Sequence, residues 1–343
     1  MGARRLGISP FTVGLFLAVI VASVFPCEGK GMDAMNALVF WGIVLLFFLH
    51  GAVLSRQTAL SGLLHWRLHL LVLFCTFGLF PVFGLLLQPL ATRVLTPGLY
   101  AGVLFLCVLP STVQSSIAFT AIAKGNVSAA VCSATLSNLL GIFLTPLLFA
   151  SLEVFLSIKG NVGVSLSSVG TIIEQLLVPF IVGQALHAKL WGLIARHKRI
   201  VDVVDQGVIL LIVYAAFSDA VAEGLWSRTP PAALLGVLLV SVVILALAIG
   251  ITGGVSRKLG FCRADRVAIV FCGSKKSLAS GLPMAQALFG GQTASVGAIV
   301  LPLMVYHQLQ LIVCAVLAER YRTRQSAGPP VPSCLRGPSS RTG

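Results

Sequence analysis

Charged residues are scarce in this chain. Of its 343 residues only 10% are Asp, Glu, Lys or Arg, and only 10 are acidic. Ordinary globular proteins carry about 25% charged residues. No soluble fold can cover a chain that is 57% hydrophobic with so few charges. The scarcity excludes a cytosolic enzyme, a secreted module and a disordered chain, and it leaves a polytopic helical membrane protein.

Motifs for enzymes, zinc and nucleic acids are also missing. No CxxC pair occurs, and we find neither a GxSG nucleophile motif nor an HExxH metal motif. The net charge of +14 is spread between apolar segments and forms no basic patch, so we expect no nucleic-acid partner. The sequence therefore predicts no enzyme and no cofactor. Five cysteines lie inside apolar runs as small hydrophobic residues: Cys75, Cys107, Cys132, Cys272 and Cys314.

Long apolar runs are what the sequence has in abundance. About 20 apolar residues are enough to cross a bilayer. The runs predict ten transmembrane helices, at residues 11–26, 37–54, 68–90, 99–122, 127–150, 164–188, 203–222, 232–255, 265–289 and 293–318. Residues 1–320 thus form the membrane unit. The segment 325–343, rich in Pro, Ser, Gly and Arg, is predicted to be a disordered cytoplasmic tail.

The loop charges fit this ten-helix count. With the N-terminus inside, eighteen Lys and Arg residues fall on the cytoplasmic side and four on the outside. Such an excess is typical of membrane proteins, whose cytoplasmic loops are positive. We therefore expect both termini in the cytoplasm, and the short loops favour a bacterial inner membrane. No helix-pairing motif indicates an oligomeric state.

The ten predicted helices divide into two halves of five. Repeat one covers 10–151 and repeat two covers 164–320, and an odd number per half inverts the second copy in the membrane. The fourth helix of each half is interrupted by polar residues, at 108–116 and at 271–283. Such paired interruptions mark the binding site of inverted-repeat transporters. The fold prediction is therefore all-α with crossed discontinuous helices 4 and 9. The alternative is a pair of kinks buried between helices.

Two lysines lie inside the interrupted ninth helix. An ionisable residue in mid-membrane costs about 3 kcal/mol or more, so Lys275 and Lys276 are expected to face a cavity or a partner. The alternative is that this helix begins later and both side chains reach the cytoplasmic surface. Adjacent residues of a helix point about 100° apart, so we expect at most one lysine at the crossing. The sequence does not decide which one.

The electrostatics of this region favour a small anion. Half-helices that begin after Pro110 and near Ser277 direct their positive N-terminal ends inward. Together with an ammonium group they suit a carboxylate, sulfate or sulfonate, and the amine could also carry a coupled proton. The predicted substrate or ion site comprises Pro110, Gln114, Ser115, Ser116, Asn126, Glu174, Asp219, Lys275, Lys276, Ser277 and His307.

Short motifs follow one another in a specific order along the chain: Leu109-Pro110, 123–126, Thr145-Pro146, Val178-Pro179, 182–184, Tyr214, Phe217, Asp219, Phe271-Cys272, 276–278, 281–284 and 302–307. Their order and spacing resemble the bile acid:sodium symporter superfamily, solute carrier family 10, in particular its member 7 type and bacterial relatives. The resemblance runs from about residue 10 to residue 320. It implies ten helices, interleaved core and panel domains, and alternating access.

The resemblance also implies where sodium would bind, and this chain departs from that pattern. The sodium-binding pair of helix four falls on Ser115 and Ser116, which is a partial match and makes them a possible sodium site. The hydroxyl positions of helix five fall on Ala130 and Ala134, and a helix-nine Gln falls near Lys275. An ammonium group competes with sodium instead of binding it. We therefore expect proton or lysine-centred coupling, not sodium coupling.

Two functions follow as hypotheses. The first is a secondary active transporter that moves a small organic or inorganic anion across the lipid bilayer. The alternative is a regulatory membrane protein, concerned with ion or calcium homeostasis, that keeps the fold without transport. The two differ in whether an anion stabilises the protein and whether removal of the lysine charge abolishes flux.

Overall fold

The computed structural model describes residues 10–53, 65–156, 173–290 and 296–326, and within these ranges every regular element is a helix. In chain order the helices are α1 Pro10–Val24, α2 Lys30–Val53, α3 Trp66–Phe74, α4 Phe80–Leu86, α5 Gln88–Val94, α6 Pro97–Val108, α7 Gln114–Ile122, α8 Val127–Leu156, α9 Val178–Ala185, α10 His187–Arg196, α11 Lys198–Ala222, α12 Leu225–Arg228, α13 Pro231–Lys258, α14 Arg263–Gly273, α15 Leu278–Phe289 and α16 Val296–Ser326. Single π-helical turns, Cys75–Leu79 and Ile173–Leu177, precede α4 and α9.

Six helices of the described ranges are long and apolar enough to cross a membrane. They are Gly31–Val53, Trp66–Leu86, Val127–Glu153, Lys198–Ala222, Pro231–Lys258 and Val296–Thr323. Many large apolar side chains on them are exposed, such as Trp41 and Phe74. A soluble protein would not leave so many in water, so these surfaces fit a lipid environment. The chain is a multi-pass membrane protein.

This count is smaller than ten for a structural reason. The described part of α1 has 15 residues and α6 has 12, and each of these lengths is below that of a continuous span. The predicted fourth and ninth spans are each divided into two short helices, α6 with α7 and α14 with α15. Part of the predicted sixth span, 164–172, lies outside the described residues. The described part of this span, Gln175–Ala185, makes an angle of 90° with the following helix α10.

One group of helices consists of α1, α2, α9 and α11, which pack against each other. Helices α2 and α9 approach closely because each presents a glycine to the other's backbone. A Cβ atom on Gly183 would lie 2.0 Å from the carbonyl oxygen of Phe48, and one on Gly51 would lie 2.1 Å from that of Phe180. Any side chain at these two positions would separate the helices.

A second group surrounds the two interrupted helices. Helix α6 packs on α8 and α16, α7 packs on α8, α14 and α16, and α15 packs on α16. Helix α11 contacts this group as well, through α15 and α16. Most buried apolar residues of the two groups form one core, and most buried apolar residues of α14 belong to two smaller clusters. The interrupted segments therefore lie inside the protein, where polar backbone groups need internal partners.

Two local features fall near the predicted boundaries. Helix α10 turns away from α9 by 90° and buries only Ile194, while Trp191 and the basic residues are exposed. This is the pattern of a helix that lies along a membrane surface. Helix α16 continues to Ser326, so the first two residues of the predicted tail are helical. The remainder of that tail lies outside the described residues.

Candidate functional site

The interruption between α6 and α7 begins at a proline. Helix α6 ends at Val108, and Leu109 takes an extended conformation with φ −70° and ψ 154°. A residue that precedes proline is disfavoured in the helical region, and Pro110 has no N–H to donate. Helix α7 starts again at Gln114.

The interruption between α14 and α15 comprises residues 274–277. Helix α14 ends at Gly273, and α15 starts at Leu278 with Ser277 as its N-cap. The Ser277 side chain accepts a hydrogen bond from the backbone N–H of Ser280. A serine at this position satisfies one of the free N–H groups of the first helical turn.

The two interruptions are hydrogen-bonded to each other. The N–H of Ser277 donates to the carbonyl oxygen of Pro110 at 2.9 Å. In the opposite direction, Ser111 donates its hydroxyl to Cys272 O at 2.6 Å. These contacts join chain segments about 160 residues apart and place the breaks side by side.

Lys276 donates a hydrogen bond from each of the three N–H groups of its ammonium to a backbone carbonyl. The Nζ atom lies 2.8 Å from Thr76 O, 2.9 Å from Cys107 O and 2.7 Å from Leu109 O. It also lies 4.0 Å from the centroid of the Phe80 ring, within the range of a cation–π contact. The side chain has no exposed surface. This charge is fully enclosed and fully hydrogen-bonded.

The backbone of Lys276 is held separately by Gln310. The Lys276 N–H donates to Gln310 Oε1, and the Gln310 amide donates to the Lys276 carbonyl, both at 2.8 Å. The same amide nitrogen lies 3.0 Å from Nδ1 of His307. His307 thus positions Gln310, and Gln310 fixes the non-helical backbone of the lysine.

Lys275 is equally buried but has fewer polar partners. Its Nζ donates to Ser115 Oγ at 3.1 Å, and the rings of Phe119 and Phe271 lie 4.5 Å and 5.8 Å from it. Among the residues that the structure describes it makes one hydrogen bond, whereas an ammonium group can donate three. Ser115 is half-buried and the neighbouring Gln114 is exposed. This ammonium therefore has free donors next to the first turn of α7.

A row of hydroxyl groups continues from Lys275. Ser115 donates to Thr112 at 2.9 Å, Thr112 lies 2.9 Å from Ser116, and Ser116 donates to the carbonyl of Phe271 at 3.0 Å. Because the Ser116 hydrogen is used on Phe271, Thr112 is the donor to Ser116. Every hydroxyl in the row then donates in one direction, away from the lysine.

No carboxylate neutralises either lysine within the part of the chain that the structure describes. The ion pairs there are His50 with Asp205 at 3.0 Å and Arg322 with Glu319. The described residues also contain no cluster of His, Cys, Asp or Glu suited to a metal ion. Two buried positive charges without a negative partner make the region strongly attractive to an anion.

The positions implied for sodium do not fit that ion. Ala130 and Ala134 are fully buried in α8, in the same cluster as Cys272, and their side chains offer no oxygen. Sodium, like other hard cations, is held by oxygen ligands. Of the two hydroxyls that remain, Ser115 is paired with an ammonium group and Ser116 donates to the carbonyl of Phe271.

The other residues of the predicted site are scattered. Asn126 caps α8 and donates to Asp265 at 2.7 Å, which fastens the start of α14. Gln114 and Asp219 are exposed. The side chain of Glu174 lies outside the described residues. The structure thus brings together Pro110, Ser115, Ser116, Lys275, Lys276 and Ser277, and it connects His307 to them through Gln310.

Several functional contacts were missed by sequence reasoning. Gln310 and Asn138 carried a usable signal, because a buried amide in an apolar run needs partners. Asn138 donates to Ser111 O at 2.6 Å and accepts from Ser280 at 2.5 Å, so it connects both interruptions to α8. The role of Thr76 could not be predicted from the sequence, because Thr76 binds Lys276 through its backbone carbonyl, which every residue has.

Comparison with known proteins gives a consistent relationship over nearly the whole chain. The model of the SBF-like CPA transporter family matches residues 9–323. An uncharacterized protein of Pseudomonas aeruginosa, PA2026, is 54% identical over 315 residues, which cover 92% of this chain and 93% of that protein. YfeH of Escherichia coli, whose name proposes a symporter, is 48% identical with the same coverage. Sodium/bile acid cotransporter 7 of Danio rerio is 30% identical over 92% of this chain and 94% of its own.

These matches bear on the class of protein. The relatives' names describe transporters and not enzymes, in agreement with the absence of catalytic motifs from the sequence. The interruptions and their buried lysines lie inside the matched region. The chain therefore belongs to the SBF-like CPA transporter family, within the bile acid:sodium symporter superfamily, and is a membrane transporter.

Proposed function

We propose that this protein moves a small organic or inorganic anion by alternating access, with Lys275 as the group that binds the anion. The observation that carries the proposal is the state of that ammonium. It is fully buried, it makes a single hydrogen bond, and it lies at the N-terminal turn of α7, whose dipole adds positive charge. An anion would supply the missing hydrogen-bond acceptors and the missing negative charge.

Coupling in this proposal depends on the lysine and not on sodium. The amine binds the anion as an ammonium group and, without a proton, returns empty and uncharged. The hydroxyl row ends at the carbonyl of Phe271, which cannot pass a proton on, so the amine exchanges its proton with water on the side of the half-buried Ser115. What supports the absence of sodium is the replacement of oxygen ligands by Ala130 and Ala134.

The membrane arrangement that we propose has ten spans in two inverted repeats. Counting α6 with α7 and α14 with α15 as one broken span each places the interruptions fourth in both halves. Most basic residues of the loops then lie inside, which puts both termini in the cytoplasm and α10 at the inner surface. The identity to two bacterial proteins supports a bacterial inner membrane as the location.

Alternating access needs two bodies that move against each other. We assign α1, α2, α9 and α11 to a panel domain, because these helices pack closely among themselves. The helices around the interruptions form the core domain that carries the site. Movement of the core past the panel would expose Lys275 to each side in turn.

Anion binding to the purified full-length protein tests the site. The unfolding temperature is measured in choline salts of acetate, sulfate, methanesulfonate and taurocholate. A specific ligand stabilises the folded state by about 2.7 kcal/mol at a hundredfold excess over its Kd. We expect at least one anion to stabilise the wild type and not Lys275→Gln. The matched control is Lys258→Gln, which removes an exposed lysine at the end of α13 and should respond like the wild type.

Flux separates transport from binding alone. The stabilising anion is placed outside proteoliposomes in a proton gradient, and its uptake is followed with and without sodium. Uptake driven by the pH gradient supports the proposal. A stabilising effect of sodium alone would contradict the lysine-centred coupling, and binding without uptake would favour the non-transporting regulatory protein.

A further inference from the structure

The surroundings of the Lys276 ammonium have the composition of a binding site for a free monovalent cation. Three carbonyl oxygens lie 2.7–2.9 Å from one nitrogen, and an aromatic face lies 4.0 Å away. Backbone carbonyls replace the hydration shell of monovalent cations in selectivity filters. Aromatic faces attract the same ions through their ring quadrupoles. The carbonyl oxygens and the aromatic face would bind any compact positive charge and are not specific for a lysine side chain.

The three carbonyls come from places where helices are irregular. Thr76 lies in the π-helical turn Cys75–Leu79, and Cys107 and Leu109 lie at the end of α6. Carbonyls at such places have lost the partner that a regular helix provides. The end of α6 also carries the negative pole of the helix dipole. Three carbonyls without helical partners and a negative pole, buried together, favour a cation at this position.

We propose that the pocket formed by Thr76 O, Cys107 O, Leu109 O and the Phe80 ring is a monovalent-cation site whose ion is covalently tethered as the Lys276 ammonium. Removal of the side chain would leave a site that accepts ammonium, sodium or potassium from solution. The evidence for the cation pocket does not depend on the proposed function. Its consequence for transport rests on that function: a cation that cannot dissociate cannot act as a coupling ion.

The pocket should survive removal of the side chain because it does not depend on that side chain for its shape. The backbone of Lys276 is clamped by Gln310 through both its N–H and its carbonyl. The end of α6 is held by Thr145, which donates to Val108 O at 2.9 Å. Thr76 is held by its hydroxyl, which donates to Val72 O at 2.8 Å. These contacts remain in a Lys276→Ala variant.

Chemical rescue of Lys276→Ala tests the proposal. The unfolding temperature of the purified variant is measured in ammonium, methylammonium, sodium, potassium and choline chlorides at equal ionic strength. We expect a fall of several degrees relative to the wild type in choline. At least one small cation should restore part of the lost unfolding temperature, with a saturable dependence on its concentration. Choline is too large to enter the pocket.

Two matched variants identify the site. Lys275→Ala removes the neighbouring ammonium, which lies outside the carbonyl pocket, and should show no cation-dependent recovery. Lys276→Met fills the pocket with an uncharged chain of similar length and should be destabilised without recovery. Equal responses of Lys276→Ala and Lys275→Ala, or equal effects of choline and ammonium, would overturn the proposal.

The variant Lys276→Ala is also produced with ammonium chloride present during extraction, in case it does not accumulate otherwise. Recovery of folded protein in ammonium and not in choline supports the tethered cation. If no cation recovers it while Lys276→Gln folds as stably as the wild type, hydrogen bonding suffices without charge and the proposal is wrong. The unfolding temperature is measured without any transported anion, so a negative result for the cation pocket does not contradict anion binding at Lys275. A negative result for anion binding at Lys275 likewise does not contradict the cation pocket.

Discussion

Lys275 and Lys276 are neighbours in sequence, carry the same charge and are both fully buried, yet their surroundings differ in kind. Lys276 is saturated by three fixed carbonyls, whereas Lys275 contacts one hydroxyl and two aromatic rings. A saturated charge stabilises the fold and has nothing left to offer a ligand. An unsaturated one lowers stability and keeps its binding capacity. Under the proposed function, this difference separates a structural lysine, Lys276, from the lysine that binds the anion, Lys275.

The largest expected effect is on stability at Lys276. Lys276→Met leaves three buried carbonyl oxygens without donors, and each such group costs about 1–3 kcal/mol. We expect the free energy of unfolding to fall by about 3 kcal/mol or more, with low yields in the membrane. Denaturant or thermal unfolding in detergent measures it. An unfolding temperature equal to that of the wild type would remove the distinction between the two lysines.

Removal of the charge at Lys275 should abolish anion binding and uptake but leave the stability of the fold nearly unchanged. Lys275→Gln loses a buried ammonium that is costly to desolvate, so stability should stay within about 1 kcal/mol of the wild type or rise. Anion-dependent stabilisation and pH-driven uptake should both disappear. Uptake at the wild-type rate in proteoliposomes would show that the anion binds elsewhere.

Gln310 sharpens the comparison because it acts on Lys276 through the backbone. Gln310→Leu leaves the N–H and the carbonyl of Lys276 without partners in the interior. We expect a loss of about 2 kcal/mol in unfolding free energy. Binding of the anion at Lys275 should weaken much less than stability does. A complete loss of anion binding with unchanged stability would assign Gln310 to the substrate site instead.

Ser115 should give the smallest effect. Ser115→Ala removes one neutral acceptor from Lys275 and interrupts the hydroxyl row, at a cost of about 1 kcal/mol or less. The anion affinity should change only severalfold, because the ammonium remains. Uptake driven by a pH gradient should fall more than equilibrium binding does. Ser128→Ala, at an exposed hydroxyl that donates to Asn126, is the matched control and should leave both unchanged.

Much of the architecture was readable from composition and periodicity. Apolar runs located the six long apolar helices, and Pro110 with the polar stretch after Gly273 located both interruptions. The expectation that only one lysine reaches the crossing fails because residues 275–277 are not helical, so helical spacing does not apply to them. Asp219, which was included in the predicted site, is exposed and makes no ion pair within the described ranges.

The sequence by itself determined that this is a membrane protein with two interrupted helices and two lysines in one of them, since hydrophobicity, proline and charge act locally. Which lysine is structural was decided only by tertiary structure. The carbonyls that saturate Lys276 come from positions 200, 169 and 167 residues away. A backbone carbonyl has no side-chain signature, and it becomes a cation ligand only where folding has deprived it of its helical partner.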